Sequence, residues 1–233
     1  MNTAILLAAG SGERMARRTP DKILAPLCGW PVFRYSVEAF LKAGFIQHFT
    51  VVYRDENQLE RLRGAFARIN PKGVTITWIR GGKRRQDSVF NALEIQEPTC
   101  GRVFIHDCAR PLINADALHA LHEAVLRDGA AALAHPVTDT IKRLPDPDQL
   151  RNTLPDDLDR SRLWAMETPQ AFAFSSILDA YRKIQANGHS ITDDTAAATH
   201  AGLRTTLVPN PTPNPKITTP EDLDFAAWLL GQS

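Results

Sequence analysis

Short apolar runs alternate with helix-like segments along most of this chain. Six short runs suit strands, and they cover residues 4–9, 49–53, 74–79, 102–107, 130–137 and 205–209. The first is a continuous apolar run, as in a strand that is buried on both faces. Between them, apolar residues recur at spacings of three and four, which predicts helices. This alternation predicts an α/β fold, with a mostly parallel twisted sheet and helices on both faces. Ligands of such sheets bind beyond the carboxyl ends of the strands.

Two of the predicted helices have clear signals at their ends. The segment "WPVFRYSVEAFLKAG" (residues 30–44) places Pro31 in a first turn and Gly44 at a C-terminal cap. Near the end of the chain, Thr219 can cap a helix whose first residue is Pro220 and whose first turn is acidic. Further helical periodicity covers residues 59–69, 118–125 and 175–184.

One polar segment departs from this alternation. The sequence "KRLPDPDQLRNTLPDDLDRS" (residues 142–161) carries three prolines and little periodicity. It is too long for an ordinary connection between elements. Two interpretations stay open: an excursion of the surface, or a projecting arm at about residues 138–163 that serves a partner subunit.

Composition narrows the functional classes. The 233 residues are 43% hydrophobic, which suits one sizeable core and a single domain over residues 1–233. With 27 basic and 26 acidic residues, the charge gives no reason to expect binding to nucleic acid or membranes. Three scattered cysteines speak against a disulfide scaffold and fit a reducing compartment. No apolar stretch approaches the ~18 residues of a membrane span, so the expected location is the cytoplasm.

The first predicted strand leads into a glycine loop, "LLAAGSGERM" (residues 6–15). The chain has no GxxxxGK[ST] sequence, so this is not a Walker A loop. The dinucleotide fingerprint is excluded as well, because Met15 stands where its third glycine belongs. A merely structural turn remains an alternative.

Positive charge is concentrated beside this loop. Arg14, Arg17, Arg18 and Lys22 follow it closely, and few acidic residues lie near them. Backbone N–H groups and guanidinium groups together suit a polyphosphate. The alternative is a solvated basic surface.

Two further motifs follow predicted strands. In "GGKRRQDSV" (residues 81–89), the glycines permit close approach to a flat ligand, and Ser88 could donate to a base or sugar. Arg84 and Arg85 could brace the loop or bind anions, although the segment could also be a simple turn into a helix.

In "HDCARP" (residues 106–111), Asp107 can orient a substrate hydroxyl or help to hold Mg²⁺, and Arg110 can bind an anion. His106 is expected to be packed or hydrogen-bonded locally. A catalytic triad with Ser88 is not favoured, because the GxSxG motif is absent.

Taken in order, the motifs of this chain resemble one family, the 2-C-methyl-D-erythritol 4-phosphate cytidylyltransferases. The resemblance extends to "PVTDTIK", "DRSRLWAMETPQAF", "TDD" and "KITTPEDL", so it covers nearly the whole chain. It implies a Rossmann-like nucleotidyltransferase fold and transfer of CMP from CTP to methylerythritol phosphate, with Mg²⁺ present and pyrophosphate released.

The resemblance also implies roles for individual residues. Arg14 and Lys22 would stabilise charge at the triphosphate, and Arg160 and Lys216 would hold the acceptor's phosphate for attack. The CTP-binding residues would be Ala8, Ala9, Gly10, Gly12, Gly82, Lys83, Ser88 and Cys108. The residues around the methylerythritol moiety would be Asp107, Arg110, Thr140, Thr168 and Thr192.

The family is dimeric, so the resemblance implies a homodimer in which the polar segment is an interlocking arm and Thr140 reaches the neighbour's site. Asp21 is an insertion relative to the family pattern and places a carboxylate beside Lys22. Two other functions stay open: a cytidylyltransferase for another polyol phosphate, such as ribitol 5-phosphate, and a non-catalytic nucleotide-binding module.

Overall fold

A computed structural model describes residues 1–10, 21–69, 71 and 73–232 of the chain. The helices of this part are α1 (Val32–Ala43), α2 (Glu56–Ala67), α3 (Arg85–Glu94), α4 (Ala115–Asp128), α5 (Phe174–Ala186), α6 (Asp194–His200) and α7 (Pro220–Leu230). The strands are β1 (Asn2–Leu7), β2 (Pro26–Leu27), β3 (Trp30–Pro31), β4 (His48–Tyr53), β5 (Thr75–Arg80), β6 (Arg102–Asp107), β7 (Ala130–Pro136), β8 (Lys142–Arg143), β9 (Asp156–Asp157), β10 (Trp164–Ala173) and β11 (Thr206–Pro209).

Seven of these strands form one sheet, in the order β11-β7-β10-β6-β1-β4-β5. Strands β6, β1, β4 and β5 run parallel to one another, and β11 runs parallel to β7. Only one strand of this sheet, β10, is antiparallel to its neighbours, β6 and β7. The predicted fold class, a mostly parallel sheet, is confirmed.

Apolar side chains cover both faces of the sheet. Within β1, Leu6 packs into a core with α1, α2 and α4, whereas Ile5 packs into a second core with α3, α5 and α6. Both residues are fully buried. This burial on two sides explains why the strand sequence is a continuous apolar run.

Most of these helix ends follow the signals in the sequence, but Pro31 precedes α1 as its N-cap residue and does not lie in the first turn. Gly44 ends α1 in the left-handed conformation, with φ of 76°. Thr219 and Asp222 form a capping box at the start of α7, and Pro220 is the first residue of that helix.

Strand β10, helix α6 and the two-residue strands β2, β3, β8 and β9 were not predicted from the sequence. Strand β10 contains buried polar residues, among them Glu167 and Gln170, which interrupt the apolar pattern. Helix α6 has only seven residues and is rich in alanine, so it shows little periodicity. The segment after Gly82 enters α3, as one of the two interpretations expected.

The polar segment lies outside the large sheet. Strands β8 and β9 pair with each other as an antiparallel ribbon, and Lys142 Nζ lies 2.6 Å from Asp157 Oδ1. Leu150 and Leu154, between the two strands, are 77% and 88% exposed. Within the described residues, no helix is both long enough and apolar enough to cross a membrane.

Candidate active site

A cavity of about 520 Å³ lies where β1, β4, β5 and β6 end. Its wall includes Leu7 from β1, Arg54 after β4, Gly82 after β5 and Asp107 from β6. This is the carboxyl edge of the parallel strands, where ligands of such sheets bind. The volume is within the usual range for a small-molecule site.

Cationic side chains outnumber carboxylates in the wall of the cavity, and Arg54, Arg84 and Arg85 also pair with carboxylates beside it. Its described residues include one carboxylate, Asp107, and six cationic side chains: Lys22, Arg54, Lys83, Arg84, Arg85 and Lys216. Such an excess of cations favours a ligand with several negative charges, such as a triphosphate.

The loop after β5 approaches the loop after β1 closely. A Cβ atom on Gly81 would lie 2.7 Å from the Cβ of Ala9, and one on Gly82 would lie 2.4 Å from the Cβ of Asp87. Ser88 Oγ accepts a hydrogen bond from the Gly82 N–H at 3.0 Å. Glycine is therefore required here by space, and Ser88 fixes the loop from the first turns of α3.

Asp107 is held between two cations. Lys216 Nζ lies 2.5 Å from Oδ2, and Arg85 Nε donates to Oδ1 at 3.1 Å. Burial opposes ionisation, but the charges of Arg85 and Lys216 outweigh it and hold the pKa of Asp107 well below its ordinary value. Asp107 is therefore an ionised group that can accept hydrogen bonds at the cavity surface.

Arg85 connects Asp107 with a second carboxylate, Asp194. Its Nη1 and Nη2 donate to the two carboxylate oxygens of Asp194, at 2.9 and 2.8 Å. Burial lowers the pKa of Arg85, but the nearby carboxylates of Asp194 and Asp107 raise it well above its ordinary value. The bracing role expected for this residue agrees with these contacts.

The carboxylate of Asp21 is directed into the protein. It is 2% exposed, and Oδ2 accepts from Gln58 Nε2 at 2.7 Å and lies 3.4 Å from Arg54 Nη2. Lys22 lines the cavity, and its Nζ donates to the Ile217 carbonyl at 3.1 Å. Lys22 thus lies at the site, beside the segment that carries Lys216.

The cavity brings together eight of the residues predicted for the site: Ala9, Gly10, Lys22, Gly82, Lys83, Ser88, Asp107 and Lys216. Ala8 and Cys108 are fully buried in the core. Neither residue lines the cavity, although both were predicted to bind CTP. Gly12 and Arg14 lie outside the described residues.

Thr168 and Arg110 form hydrogen bonds with residues near the cavity. Thr168 Oγ1 accepts from the Asp107 N–H at 3.0 Å and lies 3.2 Å from His106 Nδ1. Arg110 Nη1 donates to the Asn214 carbonyl at 2.7 Å, and the residue lines a neighbouring cavity. Both residues support the loops around Asp107, and neither lines the cavity itself.

His106 is packed and hydrogen-bonded locally, as the sequence suggested. It is fully buried, and its Nε2 lies 3.2 Å from Ser36 Oγ. Burial lowers its pKa to about 4, so the ring is neutral at pH 7.

Thr140, Arg160 and Thr192 are exposed. Arg160 Nη1 donates to the Thr138 carbonyl at 2.7 Å, at the base of the polar segment. Thr192 lies two residues before α6. None of the three lines the cavity of its own chain.

Sequence reasoning missed Arg54, which lines the cavity and donates to the Gly10 carbonyl at 3.4 Å. Its position directly after β4 was the available signal, because charged residues at strand ends face the ligand edge. The described residues contain no group of three His, Cys, Asp or Glu side chains placed to hold a metal. Both oxygens of Asp107 already accept from cations. These residues therefore do not form a protein cage for Mg²⁺.

Comparison with known proteins identifies the family. A family model described as 2-C-methyl-D-erythritol 4-phosphate cytidylyltransferase (IspD) matches residues 2–232. The chain belongs to the 2-C-methyl-D-erythritol 4-phosphate cytidylyltransferase family. The resemblance seen in its motifs is confirmed, and so is the predicted enzyme class, nucleotidyltransferase.

Members of this cytidylyltransferase family match the chain from end to end. The enzyme from Lachnospira eligens is 38% identical, over 99% of both chains. The one from Caldanaerobacter subterraneus subsp. tengcongensis is 36% identical, over 98% of both. The crystal structure of 4-diphosphocytidyl-2C-methyl-D-erythritol synthase from Anaerococcus prevotii has a TM-score of 0.85 and 25% identity, and covers 99% of this chain and 96% of its own.

Proposed function

We propose that this protein transfers CMP from CTP to 2-C-methyl-D-erythritol 4-phosphate, giving 4-diphosphocytidyl-2-C-methyl-D-erythritol and pyrophosphate in the non-mevalonate route to isoprenoid precursors. One observation carries the proposal: a single cavity presents six cations and one ionised carboxylate. The cations suit a triphosphate and an acceptor phosphate. The carboxylate suits the hydroxyl groups of a polyol.

On the nucleotide side, the two loops that meet at Gly81 leave their backbones open to the cavity. Ala9, Gly10, Gly82, Lys83 and Ser88 would line CTP there. Lys22 and Arg14 would stabilise the negative charge that develops on the triphosphate during transfer. The chemistry asks mainly for positioning and for charge stabilisation, which these residue types supply.

On the acceptor side, Asp107 would accept a hydrogen bond from a hydroxyl group of methylerythritol. Lys216 and Arg160 would hold the 4-phosphate for in-line attack. An oxygen of this phosphate forms a bond to the α-phosphorus of CTP, and the bond from the α-phosphorus to the bridging oxygen breaks. Pyrophosphate leaves with that oxygen.

The site is proposed to be shared between two copies of the chain. Arg160 and Thr140 are exposed and do not line the cavity of their own chain. The apolar side chains of Leu150 and Leu154 are also exposed in the same segment. An arm at residues 138–163 that reaches the partner's cavity would account for both observations.

Mg²⁺ is proposed to arrive with CTP and to be bound chiefly by phosphate oxygens, which it commonly prefers in nucleotide sites. The described side chains supply no dedicated set of metal ligands. The cytoplasm is the proposed location, since the three cysteines are free thiols, as in a reducing compartment. Residues 1–233 are proposed to form one catalytic domain, because β1 and β11 belong to the same sheet.

Pyrophosphate release tests the function directly. Purified protein with CTP, Mg²⁺ and methylerythritol phosphate should release pyrophosphate, and CTP should be preferred over ATP, GTP and UTP. A parallel reaction with ribitol 5-phosphate identifies the acceptor. Faster turnover of ribitol 5-phosphate would reject the proposed acceptor, and no release with any polyol phosphate would favour a non-catalytic nucleotide-binding module.

A further inference from the structure

Two ion pairs connect the cavity with the interior of the protein. Arg85 belongs to both, and its partners are Asp107 at the cavity and Asp194 in the interior. One edge of the Arg85 guanidinium donates to Asp107, and the other donates to both oxygens of Asp194. A guanidinium is planar and rigid. The place of Asp194 therefore fixes the direction in which Arg85 meets Asp107.

Asp194 has no access to the cavity itself. Its side chain is fully buried, and its Oδ1 also accepts a hydrogen bond from Tyr181 OH at 2.5 Å. The Asp194 backbone N–H donates to Gln170 Oε1 at 3.0 Å. A buried carboxylate requires such partners, because its desolvation is costly. Helices α5 and α6 and strand β10 thus anchor this group together.

The loop on the nucleotide side has separate supports. Ser88 Oγ accepts from the Gly82 N–H, and Asp87 Oδ2 accepts from the Arg84 N–H, each at 3.0 Å. Neither bond involves Arg85 or Asp194. A substitution of Asp194 is therefore expected to change the position of Asp107 more than the conformation of the loop at Gly82.

Lys216, the second partner of Asp107, cannot replace the support that Arg85 gives. Lys216 has a 40% exposed side chain and holds Asp107 through a single ammonium group. Without the Arg85 contact, the Asp107 carboxylate would keep one flexible partner, and its position would be less well defined.

We infer that Asp194 and Tyr181 are positioning residues, which act on Asp107 through Arg85 and so set how tightly the site binds a polyol acceptor. The inference rests on the proposed function, since Asp107 is assigned there to a hydroxyl group of the acceptor. It predicts an effect on the acceptor and not on the nucleotide.

Steady-state kinetics with CTP and methylerythritol phosphate provide the test. The variants are Asp194→Asn, Arg85→Lys and Tyr181→Phe. The KM for the acceptor should rise about tenfold in the first two, the scale expected for losing a hydrogen bond to a charged group. The rise should be about threefold in Tyr181→Phe, which loses one neutral donor. The KM for CTP should stay within about twofold of the wild-type value in Asp194→Asn and Tyr181→Phe.

Arg182→Lys is the matched control. Arg182 also joins α5 to α3, through Glu94 at 3.0 Å, but this pair lies on the surface away from the cavity. Its kinetic constants should equal those of the wild type. Tyr181→Phe retains the buried aromatic ring, so this variant is expected to fold. It therefore still tests the inference if Asp194→Asn does not fold.

Equal rises in both KM values, or wild-type constants in folded Tyr181→Phe and Asp194→Asn, would overturn the inference while the function stands. A wild-type protein that releases no pyrophosphate would reject the function and the inference with it.

Discussion

At the scale of single residues, space and solvation decide what each position of the cavity tolerates. Gly82 has no room for a side chain beside Asp87, whereas Gly64 on α2 has no neighbouring atom within 4 Å of where a Cβ would be. The structure separates a glycine that the site requires from one that it does not.

Gly82→Ala is expected to weaken CTP binding about tenfold or more, since overpacking of about 1–3 kcal/mol would displace the loop. Equilibrium binding of CTP measures this change. Gly64→Ala should bind CTP normally and be more stable by about 0.5–1 kcal/mol, because alanine favours a helix. Equal CTP affinity in the two variants would show that the loop at Gly82 adapts to a methyl group.

His106 links stability to pH. Its pKa falls from 6.5 in the unfolded chain to about 4 in the fold, so between these values only the unfolded chain binds the proton. Stability should therefore fall as pH is lowered from 6.5 to 4, by about 3 kcal/mol from this group.

His106→Gln removes this group and should flatten the dependence. Urea unfolding at several pH values between 7 and 4 measures the free energy of unfolding of both proteins. The difference in free energy of unfolding between the wild type and His106→Gln should decrease as the pH falls. Parallel curves would mean that His106 titrates alike in the folded and unfolded chain.

At the scale of elements, β10 organises the loop that carries Lys216. Glu167 on this strand is 2% exposed, and its Oε2 accepts from Asn210 and Asn214 Nδ2, both at 2.9 Å. Its Oε1 lies 2.6 Å from His135 Nδ1. One buried carboxylate thus ties β7 to the segment that follows β11.

Glu167→Ala should lower the free energy of unfolding by about 3 kcal/mol, because several donors lose their buried acceptor. Thr206→Val, which removes an exposed bond to Asp128 at the start of β11, should change it by less than about 0.5 kcal/mol. Denaturant unfolding compares the two. A loss in Glu167→Ala no larger than that in Thr206→Val would contradict the anchoring role.

The same strand shows where sequence reasoning ends. Strand β1 was predictable, because burial on two faces leaves a continuous apolar run. Charged residues at strand ends, among them Asp107, could be placed at the site by that reasoning. The partners of β10 and of Arg85 could not, since Asp194 is 109 positions away from Arg85 and no local pattern encodes their pairing.

At the scale of the whole molecule, the exposed position of Arg160 leads to a prediction about the activity of mixed dimers. Arg160→Ala and Lys216→Ala should each be nearly inactive alone. If Arg160 serves the partner's cavity, each mixed dimer has one intact site and one site with both changes. Random pairing of equal amounts should then restore roughly a quarter of the wild-type activity.

Co-expression, or unfolding and refolding of the mixture, followed by a pyrophosphate assay measures the recovery. Mixing two preparations of the same variant is the control and should restore nothing. No recovery in mixed dimers of confirmed composition would place Arg160 in the site of its own chain.

The order of the sheet has a consequence for aggregation. An edge strand offers unpaired backbone groups to which another chain can add. Here β11 forms one edge, and it is only four residues long and ends at Pro209, which has no N–H to donate. At the other edge, β5 begins and ends with exposed residues and carries Arg80. The edge at β11 is thus a poor template for an added strand, whereas the longer edge at β5 has only the charge of Arg80 at its end.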